Sequence, residues 1–181
     1  VYKRQEFCAR TGQITRLFDK TRKIEVLKRG HMLAALVDHS DTWSHGIDEY
    51  RVEAGRFSDA EISIVESGEV MATLRIVSRY DKSLAVTEYT LYREIDHIDC
   101  FMRINWQQQY QALKLGFSTL IEGGKATYET PYGYEERPQD GGEEPGQQWF
   151  DLTGMVQGHA YGLAILNDGK YGYDVRDGVM R

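Results

Sequence analysis

An antiparallel all-β sandwich is the fold class this sequence predicts, and three observations predict it. Apolar residues alternate with period two over several stretches, and no stretch of a dozen residues sustains helical spacing. Gly-, Asn- and Asp-bearing groups punctuate the alternation at short intervals. Successive strand side chains point to opposite faces, so this pattern marks strands with one face packed and the other wet.

The elements follow in order. Residues 60–65 open the series. In "EVMATLRIVSR" (69–79), Val70, Ala72, Leu74 and Ile76 share a face, with Thr73 and Arg75 opposite. Residues 83–92 repeat the habit. Across 95–106, Ile98, Cys100, Met102, Ile104 and Trp106 share one face; His97, Asp99, Phe101, Arg103 and Asn105 share the other. Residues 107–115 are ambiguous, and most of that stretch is assigned to strand because Leu113, Leu115 and Phe117 alternate. Reversals are expected at Ser67-Gly68, Asp81-Lys82 and Glu122-Gly123-Gly124. Two more are expected near the C-terminus, at Asn167-Asp168-Gly169 and Arg176-Asp177-Gly178. The first should join 161–166 to 170–175 as a hairpin, with Gly169 at positive φ and Asp168 accepting from local backbone N–H groups. A strand then opens at Val179. Residues 37–57 and 131–149 lack alternation and read as long loops; the second holds all three prolines.

A length of 181 residues suits a single sandwich domain, 1–181. With 22 basic against 28 acidic residues, the net charge of −6 argues against nucleic acid or an anionic membrane as partner. No apolar run approaches the roughly 18 residues of a membrane helix. Cys8 and Cys100 are too few and too distant for a disulfide framework or a zinc knuckle. Neither has an activating neighbour in sequence. The opening residues hold neither an apolar signal core nor an initiating Met, so compartment is not legible.

Candidate chemistry is thin. Asp38, His39, Asp41 and His45 are ligand-type side chains within eight residues, but a polar loop of this composition is more commonly solvated than metal-bound. Glu135-Glu136 and Glu143-Glu144 lie in acidic stretches that read as solvent-facing rather than as paired catalytic carboxylates. His97 and Asp99 could form an acid–base pair only within a cleft; a surface hydrogen bond is the plainer reading. Aromatic rings can stack on the C–H faces of sugars, which makes Trp43, Tyr132, Tyr134 and Trp149 candidate carbohydrate or cleft contacts, with Arg137 as a polar companion. Against that, Trp149 reads first as a packing residue, and Arg137 as an ion pair fixing a loop.

Four ordered blocks carry a family resemblance: "ALKLGF" (112–117), "ATYETPYGYEERP" (126–138), "EPGQQWFDLTG" (144–154) and "YGLAILNDGKYGYDVRDGVMR" (161–181). Together they resemble the β-rich C-terminal region of glycoside hydrolase family 38 α-mannosidases, and "DTWSHG" (41–46) looks like a bacterial version of an upstream block. The resemblance spans 12–181. It departs at Ser118, Gly169 and Asp177, none of which carries chemistry. It implies part of a galactose-mutarotase-like supersandwich, with "GVMR" running on into a further strand. It implies a retaining, zinc-dependent exo-α-mannosidase whose Asp nucleophile, acid and zinc ligands lie upstream. No residue here matches that machinery, so catalytic and metal residues are expected to be absent and zinc belongs to the upstream catalytic domain. The partners implied are that domain and a mannose-containing carbohydrate. A stand-alone carbohydrate-binding module and a mutarotase-like epimerase remain as alternatives. A sandwich lacking strands would expose ladder groups and apolar surface, so self-association of the isolated chain is expected.

Overall fold

The computed structural model describes residues 3–181, and no helix occurs among them. The strands begin with β1 (Lys3–Phe7), β2 (Ile14–Asp19), β3 (Ile24–Glu25), β4 (Leu27–Val37) and β5 (Glu53–Arg56). Next come β6 (Ser58–Ser67), β7 (Met71–Tyr80), β8 (Ser83–Tyr92), β9 (Ile98–Asn105) and β10 (Gln111–Thr119). Then follow β11 (Glu122–Thr130), β12 (Gly133–Arg137), β13 (Glu144–Pro145), β14 (Trp149–Val156) and β15 (His159–Leu166). The last are β16 (Gly172–Tyr173), β17 (Val175–Arg176) and β18 (Val179–Met180).

All pairings are antiparallel. The largest sheet runs β1-β2-β4-β10-β18-β17, with β3 beside β2 and β5 beside β4. A meander, β6-β7-β8-β9, and a second four-stranded sheet, β12-β11-β14-β15, pack around it. The small β13-β16 pair completes the set.

The predicted alternation holds best in β8; on β9 the predicted inner face is only partly covered, with Ile98 and Met102 half-buried but Cys100 and Ile104 exposed. Cys100 faces Tyr89 and Met102 faces Thr87, so the predicted inner face of β9 lies beside inward residues of β8. On β10, Leu113 and Leu115 pack with Leu33 and Phe57, and the aromatic rings of Phe57, Tyr80 and Trp106 stack there. A larger cluster joins Ile14, Leu17 and Val26 to Ile76 and Tyr89, and to Tyr128, Phe150 and Leu152 of the second four-stranded sheet.

Several expectations change. On β7, Leu74 and Ile76 pack against the core, but Ala72 is exposed and Thr73 is buried, and Val70 lies exposed just before the strand. A register shift between Ile64 and Glu66 of β6 breaks the ladder opposite them. The loop of 37–57 shrinks to 38–52, because Glu53–Arg56 pairs with β4. The loop of 131–149 is interrupted by the strands Gly133–Arg137 and Glu144–Pro145, which leaves 138–143 and 146–148 as loop. Thr130 faces Gly133 across Pro131-Tyr132, and Tyr132 takes φ 67°, so proline followed by a positive φ turns the chain in place of a loop. Glu122-Gly123-Gly124 is an irregularity inside β11, not a reversal.

The Asn167-Asp168-Gly169 hairpin does not form. β15 pairs with β14, whereas β16 pairs with β13. Asn167, not Asp168, organises the bend: its Oδ1 accepts from Gly169 N and Lys170 N, and Gly169 is not at positive φ. The Arg176-Asp177-Gly178 reversal does form. Asp177 (φ 50°) and Gly178 (φ 73°) supply the two positive φ values of a primed turn between β17 and β18.

Gly154 marks a close approach between strands. A Cβ there would stand 2.6 Å from the Glu122 carbonyl oxygen and 2.8 Å from the Gly124 Cα. Backbone cannot rotate away as a side chain can, so Gly154→Ala is expected to cost about 1–3 kcal/mol. Urea unfolding of the two forms checks this; equal midpoints would refute it.

Candidate functional site

The sequence-predicted residues do not converge. Trp43 sits in the 38–52 loop, 81% exposed, its N–H donating to Asp41 Oδ1 at 2.9 Å. Tyr132 is fully exposed at the β11–β12 tip. Tyr128 and Phe150 point into the core, so alternation turns Tyr134 and Trp149 to the outer face of their sheet. There Tyr134 faces Glu129 and half-buried Trp149 faces Leu166. Arg137 lies on the inner side at the end of β12, not in a loop. Its Nη1 bonds Glu144 Oε2 at 2.7 Å, and its guanidinium lies 5.8 Å from the Tyr128 ring centroid.

The other candidates resolve into local contacts. Asp41 Oδ2 lies 2.8 Å from the His45 ring, and that contact, with the Trp43 N–H, holds its carboxyl below the usual range. Asp38 Oδ1 accepts from Ser40 N at 3.0 Å, so these carboxylates shape their own loop. His97 Nε2 stands 3.3 Å from Asp99 Oδ1 with both side chains exposed, and Asp99 also accepts from Tyr92. That is a surface contact. Among the described residues no group of three or more His, Cys, Asp or Glu side chains converges as a metal site.

What the fold does assemble is a buried ionic network beside a groove. Lys114 alternates with Leu113 and Leu115, so it projects to the other side of β10. Its Nζ lies 2.6 Å from Glu143 Oε2 and 3.3 Å from Asp174 Oδ2. Asp174 is fully buried, and its Oδ1 accepts from Arg181 Nε at 2.8 Å. Arg181 Nη2 reaches the Tyr50 carbonyl at 3.3 Å. Burial pushes the Glu143 carboxyl upward, opposed by the Lys114 ammonium. Four chain segments therefore meet on a few charges: the 38–52 loop, β10, the segment before β13 and the C-terminal hairpin.

Next to the network a groove of about 750 Å³ runs along the large sheet. Ala34, Gly116 and Ser118 belong to its floor strands, and Tyr50, Asp174 and Arg181 contribute to its walls. None of Trp43, Tyr132, Tyr134, Arg137 or Trp149 lines it. The network was missed in the sequence, though a lysine inside the alternating "ALKLGF" strand is the signal that could have found it.

A second buried polar site is His31, at φ 52° and 2% exposed, with Nδ1 3.0 Å from the Tyr89 hydroxyl. Burial lowers its pKa to about 4, so the ring is neutral near pH 7.

Comparison with solved structures shows that this fold recurs in longer chains. An α-mannosidase from Enterococcus faecalis V583 superposes with a TM-score of 0.78, at 14% identity, over 99% of this chain and 24% of that one. A family 38 protein from Enterococcus faecalis gives 0.79, at 15% identity, over 99% and 25%. The chain belongs to glycosyl hydrolases family 38: the model of that family's C-terminal domain matches residues 2–181. Alpha-mannosidase G of Dictyostelium discoideum is 26% identical over 92% of this chain and 17% of its own length. Human alpha-mannosidase 2C1 is 32% identical over 42% of this chain and 8% of its own. The chain thus spans a quarter or less of the relatives it matches.

Proposed function

We propose that this chain is the C-terminal β region of a longer α-mannosidase, acting on terminal α-mannosyl residues with retention. In that reading it supports, and helps to wall, the cleft of a catalytic domain upstream. One observation carries the reading: the family's C-terminal domain model matches residues 2–181, while similar α-mannosidases are about four or more times longer. The zinc that the family implies has no ligand set among the described residues, so we assign it to the upstream domain and no chemical step to this chain.

The isolated chain is therefore expected not to hydrolyse an aryl α-mannoside, with or without added zinc, whereas the longer polypeptide encoded around it should. Zinc-dependent turnover by residues 1–181 alone, free of contaminating hydrolase, would overturn the assignment of catalysis elsewhere. An inactive longer polypeptide would overturn the mannosidase reading.

A further inference from the structure

We propose that the groove beside the ionic network is the seat of an acidic segment of the longer polypeptide, docked along the open face of the large sheet. This rests on the reading that the chain is part of a longer mannosidase.

Charge is the first argument. Six cationic side chains line the groove against four acidic ones, a local excess of two positive charges on a chain whose net charge is −6. Lys28 and Arg29 account for that excess. Both are exposed, and neither makes an ion pair or a side-chain hydrogen bond among the described residues, while Arg56 is matched by Glu53 and Arg181 by Asp174. Two adjacent free cations at the mouth of a groove complement a carboxylate-bearing partner.

The anatomy is the second. Sites for small ligands aim a few buried polar groups at the ligand. Here the buried Lys114 and Asp174 and the half-buried Arg181 are engaged through Asp174, and the free charges are exposed. The floor is small or apolar: buried Ala34 and Gly116, with Met32 and Val179 half-exposed. Met32 Cε would lie 3.2 Å from a Cβ placed on Gly116, so its thioether roofs that gap. An apolar centre inside a charged rim is the pattern of a protein-protein interface. Similar chains about four times this length provide polypeptide to fill it.

The test uses the longer protein and the isolated chain side by side, with amine acetylation and methionine oxidation read by mass spectrometry. Lys28 and Met32 are expected to react freely in the isolated chain and at least about tenfold more slowly in the longer protein. Lys82, on the β7–β8 turn, serves as the reference and should react equally in both. Lys28→Glu with Arg29→Glu should leave the melting temperature of the isolated chain unchanged and restore Met32 oxidation in the longer protein. Equal reactivity of Lys28 and Met32 in the two proteins would overturn the docking. Protection of Met32 that survives the double charge reversal would overturn the acidic character of the occupant. Mannoside hydrolysis by the longer protein is scored separately, so failure of the functional reading is distinguishable from failure of this one.

Discussion

Asp174→Ala is expected to destabilise the isolated chain by about 3–5 kcal/mol, the range for breaking a buried ion pair on one side only. Asp174 is fully buried between Arg181, at 2.8 Å, and Lys114, at 3.3 Å. Removing its carboxylate leaves Arg181 facing a void and Lys114 dependent on Glu143 alone. The cost comes from the cations left behind, not from the worth of the pair itself. An isosteric Asp174→Asn should cost less, since the amide oxygen can still accept from Arg181. Chemical unfolding monitored by tryptophan fluorescence reads both. An Asp174→Ala loss under about 1 kcal/mol would mean that water already screens these charges.

The second large effect is a pH dependence set by His31. Its folded-state pKa, about 4, lies below the ordinary value of 6.5. Between those values the unfolded chain binds a proton that the folded chain does not, so stability rises with pH there. The contribution is fully present above about pH 6.5 and is lost as pH falls toward about 4. Each pKa unit corresponds to about 1.4 kcal/mol, which gives a loss of about 2–3 kcal/mol between roughly pH 7 and pH 4.5. His31→Asn tolerates the positive φ and carries no titrating ring, so its stability should be flatter over that window. A wild-type profile as flat as the variant's would show that the ring is hydrated in the fold.

Trp43, Tyr132, Tyr134, Arg137 and Trp149 were singled out by residue type, and residue type carries no information on convergence. Their positions follow from strand parity and from the β11–β12 turn, which scatter them over a loop, a hairpin tip and both sides of one sheet. The pairing error at Asn167 has a similar origin. Turn chemistry says where a chain bends, but which strand lies beside β15 is decided by non-local burial, and Leu163 and Ile165 pack on the core that β14 already supplies.

By itself the sequence determined the strand class, the alternation of β8, the alternating Leu113 and Leu115 of β10 and the reversal at Asp177-Gly178. Each depends on residues close together in the chain: period-two burial or the backbone freedom of a turn residue. The tertiary structure alone decided that β16 leaves β15 for β13 and that Lys114 finds Glu143 and Asp174. It alone put neutral His31 against Tyr89 and left Lys28 and Arg29 unmatched at an open groove. Those outcomes depend on partners far along the chain, as with Lys114 and Glu143, 29 apart, or His31 and Tyr89, 58 apart. Desolvation selects such partners, because a charge or a ring nitrogen can be buried only where the whole fold brings it a counterpart.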